Sequence, residues 1–331
     1  MKSITIDLDS FIPVSVAKEH IFEPRKRRGK IDIPFLVITL VLLTIGLVML
    51  FSASYAYAFY NKGNSFYYIE RQLLFAVMGI AAMLVVSQVN YKILQKYSLL
   101  LYAAAIVLLI IALFMRDERG FARWIYIGSF SFQPSEIAKF AIIVLFAHFA
   151  TTNAGKMKTF KYGVLPFAVC LGVVVLLIIA EKHLSGTIII GALGIAMMWF
   201  GGTRLRYFGM LIGIGAAAVA IILIVPSFME YATNRVTMWR DPYVDAQGEG
   251  YQTIQALIAI GSGGLWGTGL GNSRQKYLYI PAPQNDFIFA VVCEELGFIG
   301  ATIVLLIFAL LIWRGYTIAM NCPDRNIKIL L

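Results

Sequence analysis

Several ionisable side chains lie inside or directly beside long apolar runs of this sequence, and six of them are considered first. They are Glu136, Lys139, Glu181, Asp286, Glu294 and Glu295. An ionised group at membrane depth costs about 2.5–3.5 kcal/mol to insert, and such groups usually face a protein interior or a water-filled cavity. We therefore take these six residues as the first candidates for chemistry.

Two of these candidates have more than one interpretation. Glu136 and Lys139 are three residues apart on a predicted helix, so they share a face and form either a structural ion pair or a polar site. Asp286 directly precedes an apolar run. It is either the N-cap and dipole partner of a helix or a general base at the membrane–water boundary. The residues alone leave these alternatives open.

A glycine-rich stretch, Gly261–Gly271, lies between polar segments shortly before Asp286. It lacks the Gly-Lys-Ser/Thr ending of a phosphate-binding P-loop, and no strand precedes it. Its backbone amides could line an anion site, but turns and close backbone approach are the favoured reason for so many glycines. The neighbouring Arg235, Arg240, Arg274 and Lys276 make this region attractive to a phosphorylated lipid head group.

The elements that must position these residues are membrane-spanning helices. The chain has 331 residues, is 60% hydrophobic and only 14% charged, whereas a soluble domain carries about 25% charged residues. About 20 apolar residues span the hydrocarbon layer. Eight runs qualify: Ile31–Ala53, Tyr68–Val89, Ser98–Phe114, Ser135–Ala150, Val164–Ala180, Gly186–Phe200, Tyr207–Val225 and Phe287–Trp313. The predicted fold class is all-α, a polytopic transmembrane helix bundle.

Basic residues predict the orientation of these spans. The tail, residues 1–30, ends in a dense basic cluster directly before the first span, which predicts a cytoplasmic N-terminus. The formal charge of +10 is explained by the Lys and Arg residues that membrane proteins concentrate on the cytoplasmic side. No nucleic acid is therefore expected as a partner. Residues 226–285 then form a large extracytoplasmic loop between spans seven and eight. Its interior, Gly250–Ile260, has helical spacing and lies either along the membrane surface or packed on the spans.

The outer segments resemble the SEDS family (shape, elongation, division and sporulation) of polytopic glycosyltransferases. The most specific stretches lie between Asp241 and Gly297. The segments that carry the resemblance are Phe51-Ser52-Ala53-Ser54, Arg123-Trp124-Ile125, Gln133-Pro134-Ser135-Glu136, Asp241-Pro242, Gly250-Tyr251-Gln252, Ala259–Leu265, Gly269-Leu270-Gly271, Asp286–Ala290 and Glu294-Glu295-Leu296-Gly297. Ser273–Lys276 and Pro283-Gln284 are more similar to the division and sporulation branch than to the elongation branch.

The resemblance implies a function for the bacterial plasma membrane. It implies an inverting peptidoglycan glycosyltransferase that polymerises lipid II into β-1,4 glycan strands on the extracytoplasmic side, with polyprenyl diphosphate as the leaving group. Asp286 is then the catalytic carboxylate. No cofactor is assigned, and a divalent cation, Mg²⁺ or Mn²⁺, is left open as a means of neutralising the leaving group. The implied partners are a class B penicillin-binding transpeptidase and other division proteins.

Further residues receive roles from the same resemblance and from the basic cluster. The candidate substrate-binding residues are Arg235, Arg240, Arg274, Lys276, Trp124, Glu136, Lys139 and Gln284, and Glu181, Glu294 and Glu295 are candidates for supporting roles. Metal ligands are not assigned.

The sequence also departs from the family pattern. The family's Glu/Gln-Pro-Asp motif after the fifth span reads Glu181-Lys182-His183 here, so the usual aspartate is absent. Ala282 and Asn285 replace an acidic residue and a threonine. The family has ten spans, so residues 31–331 are expected to be a SEDS-type domain truncated at the C-terminus. Such a truncation is expected to deprive Glu294 or Glu295 of a partner.

Two other function classes remain open at this point. A transporter that flips the lipid-linked precursor would also need intramembrane charges, although the most specific segments lie outside the membrane midplane. A scaffold for cell-wall enzymes would need no catalytic carboxylate. Loss of polymerisation on removal of Asp286 would separate the glycosyltransferase from both.

Overall fold

The computed structural model of the chain describes residues 31–115, 123–128, 130–181, 183–223 and 226–322. The predicted basic tail, residues 1–30, lies outside the described residues, as do Lys182 and residues 323–331.

Helices form most of the described chain, and each of the eight apolar runs contains one. The helices are α1 (Ile33–Lys62), α2 (Tyr67–Val86), α3 (Tyr91–Lys96), α4 (Ser98–Phe114), α5 (Pro134–Thr152), α6 (Phe160–Gly163), α7 (Leu165–Ala180), α8 (Leu184–Gly201), α9 (Leu205–Leu223), α10 (Pro226–Arg240), α11 (Tyr251–Ser262) and α12 (Ile288–Asn321). Six helical segments are long and apolar enough to cross a membrane in the part of the chain that the structure describes. The protein is therefore a multi-pass membrane protein, and the count of eight crossings stays a prediction.

The protein is mostly helical, and one short hairpin that was not predicted accompanies the helices. Two short antiparallel strands, β1 (Ile125–Ile127) and β2 (Phe130–Phe132), form a hairpin directly before α5. Alternating β-branched and aromatic residues favour strands, and Gly128 adopts the left-handed backbone (φ 60°) that a tight turn requires. The hairpin leads the chain back to α5 and its polar first turn.

The helices pack in two groups. In the first, α5 packs on α4, α7 and α8 around a core that includes Ile142, Phe146 and Phe167, all fully buried. In the second, α1 packs along α12 through Met49, Val291 and Val304 among others. The second group carries the connection that ends at Asp286.

An ion pair joins the two long helices of the second group. Asp32 caps the N-terminus of α1 by accepting from the backbone amide of Phe35 at 2.9 Å. The same carboxylate accepts two hydrogen bonds from the guanidinium of Arg314 on α12, at 3.0 and 2.7 Å. This bidentate geometry fixes the relative position of α1 and α12 at the end opposite to Asp286.

The predicted outer loop, residues 226–285, is largely structured. Helix α10 occupies its first part and was not predicted. The expected interior helix is α11, which packs on α12 and buries Ile254, Ala256 and Ala259. This packing agrees with the second of the two interpretations, a loop helix held against a span.

Helix α12 is broken at Gly297, where the backbone has φ 67° and ψ −173°. The amides of Phe298 and Ile299, which lose helical acceptors at the break, donate to the carbonyls of Gly264 (2.9 Å) and Leu265 (3.2 Å). The glycine-rich stretch therefore inserts its backbone into the break. As a result, Ile288–Leu296 is a separate short helix that carries both Glu294 and Glu295.

Candidate active site

Asp286 lies in the turn directly before α12, with its side chain exposed to solvent. The N-cap of the helix is Phe287, and none of the described side chains caps it. Within the described residues, the carboxylate of Asp286 forms no hydrogen bond. The N-cap interpretation is therefore wrong, and the side chain is accessible for another role.

The segment before Asp286 is held in an unusual backbone conformation. Leu278 (φ 69°) and Ala282 (φ 48°) both adopt left-handed conformations, which are costly for residues with a Cβ. Ile280, between them, is fully buried against a cluster formed with α11 and the start of α12. The side-chain amide of Gln252 donates to the carbonyl of Pro281 at 3.1 Å. The segment is thus anchored on α11 a few residues before the exposed carboxylate.

A buried polar cluster lies beneath this segment. The ammonium of Lys276 is 2.9 Å from Oε1 of Glu295, and both side chains are almost completely buried. The hydroxyl of Ser52, on α1, donates to both Glu295 oxygens at 2.6 and 2.8 Å. Lys276 also donates to Ser52 Oγ (3.1 Å) and to the carbonyl of Gly271 (2.7 Å). We call Ser52, Lys276 and Glu295 the buried clamp.

Glu294 is bound next to the buried clamp by the same loop. Its carboxylate accepts from the hydroxyl of Ser273 and from the backbone amide of Arg274, the latter at 2.8 Å. Ser273 itself is completely buried. The expectation that Glu294 or Glu295 would lack a partner is therefore wrong, because the loop and α1 supply hydrogen-bond donors to both.

The glycine-rich stretch packs its backbone directly against the backbone of α12. A Cβ at Gly263 or Gly267 would overlap the backbone of Cys293 or Glu295. The amides of Thr268 and Gly269 donate to the carbonyls of Glu294 (2.9 Å) and Glu295 (3.0 Å). Because these amides already donate to carbonyls of α12, they are not available to bind an anion. The glycines are therefore better explained by the close approach of the two backbones than by an anion site.

The predicted basic residues divide into two kinds. The side chains of Arg235 and Arg240, on α10, and of Arg274 are exposed. Lys276 is buried at 3% relative exposure and is paired with Glu295. Only the three arginines are therefore exposed to an anionic ligand, whereas the Lys276 ammonium is sequestered.

A second polar group surrounds the first turn of α5. Glu136 and Lys139 form the expected ion pair at 2.6 Å, with Glu136 largely exposed. Gln133 Nε2 lies 3.3 Å from Nδ1 of His183. Trp124, on the approach to the hairpin, is 42% exposed. The hairpin, α5 and the α7–α8 junction thus bring together residues that are far apart in the sequence.

Glu181 is the least satisfied member of this group. It follows the last residue of α7, is 1% exposed, and neither carboxylate oxygen has a hydrogen-bond partner among the described residues. Burial raises the pKa of Glu181 to about 8, against the opposing charge of Arg123. Burial also lowers the pKa of His183, as does Arg123. Gln284, two residues before Asp286, likewise has a buried oxygen for which the described part of the chain supplies no partner.

Sequence reasoning assigned no site role to Ser52, Ser273 or Gln133, and it named His183 only as a neighbour of Glu181. Ser52 and Gln133 stood in the stretches that carry the resemblance, but their contacts join segments far apart in the chain. Among the described residues, no group of three or more His, Cys, Asp or Glu side chains is arranged to hold a metal ion. A metal site made by protein side chains alone therefore does not fit the described donor set.

Comparisons with known proteins agree on one family. A sequence model described as "Cell cycle protein" and named for FtsW, RodA and SpoVE matches residues 34–331. Stage V sporulation protein E of Bacillus subtilis (strain 168) is 42% identical over 301 residues, which cover 88% of this chain and 80% of that protein. A probable peptidoglycan glycosyltransferase FtsW of Geobacter sulfurreducens (strain DL-1 / KN400) is 33% identical over 302 residues, covering 90% and 80%.

Solved structures give the same result for the fold. One of them comes from work on the structural coordination of polymerization and crosslinking by a peptidoglycan synthase complex. It matches with 26% sequence identity and a TM-score of 0.69, and the match covers 90% of this chain and 81% of that one. The rod shape determining protein RodA of Thermus thermophilus matches with a TM-score of 0.62 at 21% identity, covering 90% and 78%. The second match bears on the fold alone.

Proposed function

The chain belongs to the family of FtsW, RodA and SpoVE, and from that membership we propose that it is a peptidoglycan glycosyltransferase. It polymerises lipid II into β-1,4 glycan strands during cell division or sporulation. The observation that carries the proposal is the exposed carboxylate of Asp286, which has no hydrogen bond within the described residues and sits at the start of a broken helix. The relatives named as peptidoglycan glycosyltransferases support the reaction class.

In the proposed reaction, Asp286 acts as a general base. Its carboxylate takes the proton from the 4-hydroxyl of the acceptor sugar, and that oxygen attacks the anomeric carbon of the donor glycan. The bond from this carbon to the diphosphate breaks, and polyprenyl diphosphate leaves with the electron pair. Attack from the opposite face inverts the α-linkage to β. General-base assistance of this kind typically contributes about 10²–10⁴-fold in rate.

The leaving diphosphate requires positive charge nearby as its bond breaks. The exposed guanidinium groups of Arg235, Arg240 and Arg274 are the proposed donors of that charge. Lys276 is removed from this set, because its ammonium is buried against Glu295.

The polar group around α5 is proposed to bind substrate. Glu136, Lys139 and Trp124 are accessible on the hairpin side of α5, and Gln284 lies two residues before the base. Glu181 supports this group from the α7–α8 junction.

The proposal includes an orientation and partners. The N-terminus and the basic tail are cytoplasmic, while residues 226–285 and Asp286 are extracytoplasmic in the bacterial plasma membrane. The proposed architecture has eight membrane spans. A class B penicillin-binding transpeptidase is the proposed partner, together with other division proteins, because a polymerised strand must still be crosslinked.

Purified protein in liposomes containing lipid II tests the proposal. Wild-type protein should produce glycan polymer, Asp286→Ala should not, and Glu249→Ala should retain activity. Glu249 is a matched control because it is another exposed carboxylate of the same connection. Lipid II translocation without polymerisation, unaffected by Asp286→Ala, would instead identify a flippase.

A further inference from the structure

The strained segment before Asp286 is part of a loop that both begins and ends on the first half of α12. At one end, Thr268 and Gly269 are hydrogen-bonded to the carbonyls of Glu294 and Glu295. At the other end, the chain enters the same half-helix at Ile288. The position of Asp286 therefore depends on how the residues between these two attachment points are held.

Two of those residues have backbone angles that are unfavourable for their residue types. Leu278 and Ala282 have positive φ angles, and a residue with a Cβ keeps such an angle only where its surroundings impose it. The buried side chain of Ile280 and the bond from Gln252 to Pro281 fix the segment on its α11 side. Neither contact holds the N-terminal end of the segment, which follows the glycine-rich stretch.

The buried clamp supplies that second anchor. Lys276 lies two residues before Leu278, and its ammonium reaches Glu295 on the short half-helix, Ser52 on α1 and the carbonyl of Gly271. Since the Glu295 carboxylate is buried, loss of its cation leaves an uncompensated charge that strongly favours rearrangement. The clamp thus ties one end of the strained segment to two helices at once.

We propose that Lys276 and Ser52 are positioning residues for the reaction: by holding residues 277–285 in their strained conformation, the buried clamp sets the position of Asp286. This inference rests on the proposed role of Asp286 as the base. Without the clamp, Leu278 and Ala282 relax to ordinary φ angles and the carboxylate moves away from the acceptor hydroxyl. Substrate contacts made elsewhere remain, so the turnover step is affected more than binding.

The test compares two variants that each break an ion pair joined to α12. Lys276→Met removes the cation of the clamp, and Arg314→Met breaks the Asp32–Arg314 pair at the other end of α1 and α12. Both should lower the melting temperature. Only Lys276→Met should lower kcat for lipid II polymerisation, by about 10²-fold for a displacement near 1 Å. KM should stay within about twofold, the pattern expected when an interaction acts in the transition state only.

A milder pair of variants guards against misfolding. Ser52→Ala removes one hydroxyl of the clamp without leaving a charge, and should lower kcat by about 2–10-fold, the equivalent of one lost hydrogen bond. Ser54→Ala is its control, because Ser54 is also buried on α1 but its hydroxyl has no partner within the described ranges. Ser54→Ala should leave kcat unchanged.

Hydrogen exchange gives a readout that does not depend on activity. Lys276→Met and Ser52→Ala should accelerate amide exchange in residues 277–286, whereas Arg314→Met and Ser54→Ala should not. Wild-type exchange and kcat in folded Ser52→Ala and Lys276→Met proteins would overturn the inference. Absence of polymerisation by the wild type would instead reject the proposed function, and the exchange experiment would still decide whether the clamp holds the segment.

Discussion

Replacing Gly297 by alanine should destabilise the protein strongly, although alanine normally strengthens a helix. The backbone angles at Gly297, φ 67° and ψ −173°, belong to a region that is essentially restricted to glycine, and a residue with a Cβ there costs about 1–3 kcal/mol. The new Cβ would also overlap the Gly267 nitrogen and come within 2.6 Å of the Leu265 carbonyl oxygen.

Relief of that overlap must separate the glycine-rich stretch from α12. The bonds from Phe298 to Gly264 and from Ile299 to Leu265 would then be lost, at about 0.5–1.5 kcal/mol each. The sum is a loss of about 2–6 kcal/mol in the free energy of unfolding. At about 2 °C per kcal/mol, the melting temperature in detergent should fall by at least about 4 °C.

Gly46→Ala is the matched control for this experiment. Gly46 lies within α1, and an added Cβ would meet no atom of the described residues within 4 Å. Alanine there should be neutral or stabilising, since glycine in a helix interior costs about 0.5–1 kcal/mol relative to alanine. A Gly297→Ala protein that melts within about 1 °C of wild type would refute the argument that close backbone contact imposes the break in α12.

Three further predictions concern charged groups. Exchange of the Glu136–Lys139 pair (Glu136→Lys with Lys139→Glu) should restore folding but not polymerisation if the pair binds substrate, and restored activity would identify a purely structural ion pair. Burial raises the pKa of Glu181 from 4.5 to about 8, so the contribution of this group to stability should be fully present below pH 4.5 and be lost as pH rises through 8. Glu181→Gln should remove that decline in melting temperature. An unchanged pH profile in the variant would contradict this prediction. The hydrogen bonds from Arg314 lower the pKa of Asp32. The stabilisation that Asp32 contributes should therefore be present above the ordinary aspartate pKa and be lost as pH falls through the lowered pKa. Asp32→Asn should abolish this acid-sensitive component, and a variant whose acid unfolding profile is identical to that of the wild type would contradict the prediction.

The helices were predictable because membrane insertion imposes a strong requirement on the sequence. A span must bring about 20 apolar residues together, and each such run contains a helix. Their ends were less predictable: α1 continues past Ala53 to Lys62, since a helix need not stop where the hydrocarbon layer does. The hairpin at Ile125–Phe132 was missed because each strand has only three residues, too few for a clear alternating pattern.

The candidate site was predicted only in part, and the reason is tertiary contact. Asp286 was identified from its position beside an apolar run, and the Glu136–Lys139 pair from helical spacing. Whether a basic residue of a loop faces solvent or the interior is not encoded locally, so Lys276 was grouped with the exposed arginines. The break at Gly297 lies within the predicted span Phe287–Trp313 and depends on contact with a segment that precedes it by about 30 residues.

The central claim is that the carboxylate of Asp286 is the base of a glycan polymerisation. The most direct measurement is the rate of polymer formation by Asp286→Asn, in liposomes containing lipid II, alongside a measurement of lipid II binding. The amide has nearly the same shape but cannot accept the proton at neutral pH. We expect a loss of at least about 10²-fold in rate with lipid II binding retained. A variant that binds lipid II and polymerises it within about threefold of the wild-type rate would contradict the assignment.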